Sequence, residues 1–212
     1  MTEALVAGVG SFGRPAPADG SAPPATPAPS TSLRPLLAVA PAVRELASAL
    51  SRAGVGISEA HVDSTSAEFA AAWLNLRTPF RGKEPLVVHF AGHGVVAGVS
   101  NNLFLATSDI QDAALHDTAV RVNNLLAAAI DSERPVLVLL DVCGAGMALE
   151  EERLRPQDAD PPVWIIGSSI SDALAFGARF TTATAEVLHL LADGDLDISS
   201  RRVDQASSRL RQ

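Results

Sequence analysis

The sequence predicts an α/β fold, a three-layer sandwich with a mostly parallel central sheet. Two observations carry this. Short, predominantly apolar runs, of which residues 86–90 (LVVHF) and 135–140 (PVLVLL) are the strongest, read as strands buried on both faces. Between such runs lie stretches with apolar residues at helical spacing, and strands alternating with helices imply βαβ units and a sheet covered on both sides. Functional groups in sheets of this kind collect in the loops at the carboxyl ends of the strands.

Taken in order, residues 4–9 form a first apolar strand bounded by glycine. Residues 13–32 hold six of the 14 prolines and no large apolar side chain, so they cannot bury themselves and read as a loop. Pro41 suits a first helical turn, Val43, Leu46, Ala47 and Leu50 share a face, and Gly54 ends that helix. Residues 60–62 form a short strand. A second helix begins near Thr65, where Thr65-x-x-Glu68 has capping-box spacing and Phe69, Trp73 and Leu76 follow at helical intervals. After the strand at 86–90, residues 95–105 read as a hairpin turning at Asn101-Asn102. Val122, Leu125, Leu126, Ala129 and Ile130 mark a third helix. Strands at 135–140 and 163–166 follow, then a helix from about Thr181 to Ala192 stopped by Gly194. The expected organisation is one domain over residues 1–198 and a polar, basic tail over 199–212 leading to a further domain.

The chain has 212 residues, 47% hydrophobic and 19% charged, which suffices for a core and excludes disorder over the whole length. A net charge of −8 disfavours nucleic acid and anionic membranes as partners. The acidic amino terminus lacks a signal-peptide pattern and no apolar run approaches the ~18 residues of a membrane span, so a cytoplasmic location is expected. The single cysteine, Cys143, rules out an intramolecular disulfide and an all-thiolate zinc site, and no metal or cofactor is expected.

Two motifs invite functional readings. Gly8-x-Gly10-x-x-Gly13 follows a strand, as a dinucleotide fingerprint does, but no helix begins at these glycines to meet a pyrophosphate, so it reads as a turn. The second is a pair: His93 lies three residues beyond Phe90, and Cys143 three beyond Leu140, each after a strong strand and each flanked by glycine. If the two strands are neighbours, about 4.8 Å apart, a base and a thiol emerge at equal height on one rim. An imidazole can carry a thiol's proton, and flanking glycines let backbone N–H groups approach a carbonyl oxygen. The bland alternative is an inert buried cysteine beside a turn histidine.

His93-Gly94 after one strand and Asp141-x-Cys143-x-x-Gly146 after another resemble the caspase-like cysteine peptidases, the bacterial metacaspase-like branch in particular. The histidine precedes the cysteine by 50 residues, the caspase spacing. The resemblance implies a caspase-like fold and a cysteine endopeptidase, with Cys143 as nucleophile, His93 as general acid/base, and the backbone N–H groups of Gly94 and Cys143 as oxyanion hole. It also implies that Asp141, where caspases carry glutamine, forms an S1 pocket with Ser168 and Ser169 and selects Arg or Lys at P1. The second acid usual in metacaspases falls here at Ala42. A plainer reading of Asp141 is a carboxylate bonded to backbone N–H groups of its own turn. Residues 150–160, rich in charge, read either as a solvated loop or, by the resemblance, as a self-cleavage segment with cuts after Arg153 or Arg155. Partners implied are a peptide or protein substrate and regulatory or sensor domains. The alternative function is a non-catalytic signalling or scaffold domain.

Other residues carry less. His89 and His93 have H-x-x-x-H spacing but no evident third ligand, and His89, on a buried strand, reads as a core histidine. Gly167-Ser168-Ser169 lacks the last glycine of a serine-hydrolase elbow. His61, His116 and His189 have no evident partners in the sequence.

Overall fold

The computed structural model describes residues 2–12, 33–76, 83–98, 101–146, 162–169 and 177–194. The proline-rich stretch 13–32, Arg153 and Arg155, and the tail 199–212 lie outside the described residues. The elements in chain order are β1 (Glu3–Gly8), α1 (Val39–Arg52), β2 (Gly56–Val62), α2 (Ser66–Leu76), β3 (Leu86–Gly92), β4 (Gly94–Ala97), β5 (Asn102–Ala106), α3 (Leu115–Thr118), β6 (Ala119–Arg121), α4 (Val122–Ile130), β7 (Val136–Val142), β8 (Val163–Gly167) and α5 (Arg179–Ala192).

The central sheet has the order β2-β1-β3-β7-β8, and every pairing in it is parallel. Alternation along β1 divides the core. Leu5 and Ala7 join Leu86, Val88, Phe90, Val136, Val138 and Leu140 under α2 and α4. Ala4 and Val6 face the other way, with Ala91, against α1 and α5. The protein is thus an α/β sandwich of three layers. Burying Val43 and Leu46 of α1 completely contributes roughly 1.5–3 kcal/mol for each side chain.

Local signals explain several boundaries. The capping box at α2 is formed in full: the Thr65 N–H donates to Glu68 Oε2 at 2.8 Å, and the Glu68 N–H donates to Thr65 Oγ1 at 3.2 Å. Gly54 adopts φ +82°, the left-handed conformation that stops α1. Gly8 and Gly10 of the fingerprint-like motif serve packing. A Cβ on Gly8 would lie 2.5 Å from Val43 Cγ2, and one on Gly10 2.6 Å from the Leu36 carbonyl oxygen. The Gly10 and Ser11 N–H groups both donate to Asp63 Oδ1, and among the described residues the next helix starts at Val39.

Three expectations need correction. The strand read at 60–62 begins earlier, at Gly56, because it pairs along β1 through a register irregularity between Ala4 and Val6. The hairpin does not turn at Asn101-Asn102. Asn102 already pairs with Ala97, and the left-handed residues Gly98 and Asn101 mark the two ends of the turn. That hairpin also gains a third strand, β6, to make a separate antiparallel sheet β4-β5-β6. At three residues, β6 is too short to show a period.

The amino-terminal rim of the sheet is clamped by Arg134, which is 1% exposed. Its Nε donates to the Glu84 carbonyl at 2.7 Å, Nη1 to the Leu76 carbonyl at 3.2 Å, and Nη2 pairs with Glu3 Oε2 at 3.3 Å. Arg134→Ala strips these partners at once and is expected to cost about 3 kcal/mol, read as a lower urea midpoint at unchanged m-value.

Candidate functional site

β3 and β7 are neighbours, and their register pairs Phe90 with Leu140, Ala91 with Asp141 and Gly92 with Val142. His93 and Cys143 are the next residue on each strand, so the two leave the sheet side by side. Alternation puts both on the face of Ala91 and Asp141, the face that carries α1 and α5. There they line one small cavity with Asp141, Leu36 and Val39 at the start of α1, and Gly177 and Ala178 at the start of α5. Its volume is about 40 Å³, space for one or two waters. The amino termini of two 14-residue helices therefore converge on it, an arrangement that favours negative charge.

The chain turns sharply at His93 to pass from the main sheet into β4, and the residue is held at several points. Its backbone carbonyl accepts the Ala106 N–H at 3.0 Å. Its ring packs against Phe12, with centroids 5.3 Å apart. Its Nε2 lies 2.8 Å from the Arg34 carbonyl oxygen. A carbonyl only accepts, so Nε2 carries the hydrogen in the neutral ring and Nδ1 is the nitrogen able to take up a proton.

Cys143 is half-buried at the start of a turn whose next residue, Gly144, has φ +70°. Gly94 touches it closely: a Cβ there would come within 2.1 Å of the Cys143 carbonyl oxygen, so only glycine lets the two loops meet. Ser169 braces the same turn, accepting the Ala145 N–H at 3.2 Å and donating to the Val142 carbonyl at 3.1 Å. Neither Ser168 nor Ser169 lines the cavity. The Ser168 N–H donates to the Leu140 carbonyl, and its buried hydroxyl has no hydrogen-bond partner among the described residues.

Asp141 is 4% exposed. Its Oδ2 accepts both the backbone N–H of Thr181 at 2.9 Å and the Thr181 hydroxyl at 2.8 Å. The bonded N–H belongs to the first turn of α5 rather than to the carboxylate's own turn. The helix has no side-chain cap of its own, since its N-cap is Ala178 in the left-handed conformation, and Asp141 supplies one from β7. Because the Thr181 hydroxyl donates to Asp141, it accepts from His89 Nε2, 2.9 Å away. His89 is fully buried on β3. Burial pushes its pKa down to about 4, against the opposing pull of the Asp141 charge and the Ala7 backbone.

The remaining residues lie elsewhere. Ala42 is a buried residue of α1 and contributes no charge. His189 Nε2 meets Glu45 Oε1 at 2.7 Å and helps join α5 to α1, while His116 packs edge-on to Phe104. His61 lines an open cleft between α1 and α2. Among the described residues no group of three or more His, Cys, Asp or Glu is placed to hold a metal ion, and no helix is long and apolar enough to cross a membrane. The contributions of Phe12, Arg34 and Thr181 had no signal in the sequence, because each acts through packing or through a partner distant along the chain. No known family model and no curated protein matches the chain.

His89 gives the site a pH signature. Between pH 6.5 and about 4 the unfolded chain binds a proton there that the folded chain refuses. Stability therefore falls as pH drops through this window, by on the order of 3 kcal/mol at its lower end, and above it the group contributes no pH dependence. His89→Gln removes the effect, so the gap in urea midpoint between wild type and variant should narrow steadily from pH 7 to pH 4.5. A constant gap would show that His89 titrates alike in both states.

Proposed function

We propose that the chain is a caspase-like cysteine endopeptidase acting through Cys143 and His93. One observation carries the reading: the in-register pairing of β3 with β7 delivers a thiol and an imidazole to one cavity at the carboxyl ends of adjacent strands. The sheet order alone does not, since several doubly wound folds share it.

In this reading Nδ1 of His93 takes the Cys143 proton, and the thiolate sulfur attacks the substrate carbonyl carbon. The carbonyl oxygen becomes an oxyanion held by the backbone N–H groups of Gly94 and Cys143, with the amino ends of α1 and α5 favouring its charge. As the C–N bond breaks, His93 returns its proton to the leaving amine. Water then cleaves the thioester, giving up a proton through His93 and restoring the thiol. The Arg34 carbonyl stabilises the imidazolium that exists between these steps. Asp141 supplies negative charge beside the cavity, which suits Arg or Lys at P1, and Ser169 acts by holding the nucleophile's turn. Self-cleavage after Arg153 or Arg155 belongs to the same proposal.

The size of the cavity favours a second reading, a non-catalytic signalling or scaffold domain. At about 40 Å³ it does not accommodate an arginine side chain unless the rim widens.

A peptidyl electrophile with Arg at P1 should label Cys143 and no other residue, located by mass spectrometry. Cys143→Ala and His93→Ala should each reduce cleavage of Arg and Lys reporter peptides to background. Equal background turnover by wild type and Cys143→Ala, with activating partners supplied, would favour the scaffold instead. Gly94→Ala, which must displace the Cys143 carbonyl, is expected to lower kcat about 100-fold with a smaller change in KM.

A further inference from the structure

We infer that Thr181 and His89 are positioning residues for P1 recognition, holding the Asp141 carboxylate so that one oxygen is committed to the protein and the other is left to the substrate. This rests on the peptidase reading above and adds to it two residues that do not touch substrate.

A chain of buried hydrogen bonds holds the carboxylate. Asp141 Oδ2 takes two hydrogens from Thr181, one from the backbone and one from the hydroxyl. The hydroxyl has a single hydrogen, and the Asp141 carboxylate, which only accepts, takes it. His89 Nε2 lies 2.9 Å from Oγ1 on the opposite side, and with the hydroxyl hydrogen given to Asp141 it is placed to donate to that oxygen and hold it in place. All three side chains are at least nine-tenths buried, so water does not compete for these bonds, and bonds to a charged acceptor are the stronger kind. Among the described residues no donor is bonded to Oδ1, and Asp141 lines the cavity beside His93 and Cys143.

The geometry follows from the sheet. His89 and Asp141 stand on the same face of adjacent strands, where Leu139 is the register partner of His89 and Asp141 lies two residues further on. The gap is closed from above by Thr181, in the first turn of α5. A carboxylate held at Oδ2 cannot rotate to turn both oxygens inward. The preferred ligand is then a cation that donates to one oxygen, so that a guanidinium at P1 is bound in preference to its neutral isostere, citrulline. The hydroxyl of Thr181, not its β-branch, does this, and serine retains it.

The test compares Arg and citrulline reporters on wild type, Cys143→Ala, Thr181→Val, Thr181→Ser and His89→Phe, with circular dichroism and thermal midpoints for each. Thr181→Val is expected to lower the Arg-to-citrulline ratio of kcat/KM about tenfold, chiefly through KM for the Arg reporter, and Thr181→Ser to restore it. His89→Phe, which frees the hydroxyl without removing it, should move the ratio the same way by a smaller factor. An unchanged ratio in Thr181→Val and His89→Phe overturns the inference and leaves the peptidase reading standing, as does a wild type that cleaves both reporters equally well. Failure of Thr181→Ser to restore the ratio also overturns it. Absence of any Cys143-dependent turnover in wild type removes the peptidase reading, and this inference with it.

Discussion

The parallel ladder between β3 and β7 is the constraint on which the rest depends. Seven residues of each strand pair without a register break, so the ends of the two strands reach the rim at the same height. A slip of one residue would send His93 and Cys143 to opposite faces, and a slip of two would separate them by about 6.6 Å along the strands. The ladder is buried on both faces by α1 and α5 on one side and α2 and α4 on the other. Slippage would expose Val88, Phe90, Val138 and Leu140 together, which is why the register is held far from the site that uses it.

Much of the candidate site is backbone. The Arg34 carbonyl sets the His93 tautomer, the Ala106 N–H holds the His93 carbonyl, and the first turn of α5 binds Asp141. Glycines at 94 and 144 allow the close approach and the left-handed turn that bring the two loops together. Side chains then add charge and chemistry to a frame already placed. The buried Asp141 charge is tolerated because a helix amino terminus and two hydrogen bonds replace its hydration. The neutral His89 behind it adds no competing charge at neutral pH.

Elements with strong local signals were legible in the sequence. Val122–Ile130 spans the apolar face marked by Val122, Leu125, Leu126, Ala129 and Ile130, and the Thr65–Glu68 capping box forms with both of its hydrogen bonds. Elements defined by pairing were not: β6 exists because β5 offers it an edge, and the early half of β2 because β1 does. The role of Arg134 has no local signal, since nothing near it in the sequence announces that Glu3, Leu76 and Glu84 will meet around it.

Sequence by itself determined that His93 and Cys143 each end a buried strand, at equal distances beyond Phe90 and Leu140. Strand burial and period are local properties, written in every apolar run. Only the tertiary structure decided that these strands are adjacent, that α5 brings Thr181 down onto Asp141, and that Phe12 and Arg34 flank His93. Those contacts join residues 40 to 81 positions apart, and no periodicity along the chain encodes which distant surface a folded sheet will present to them.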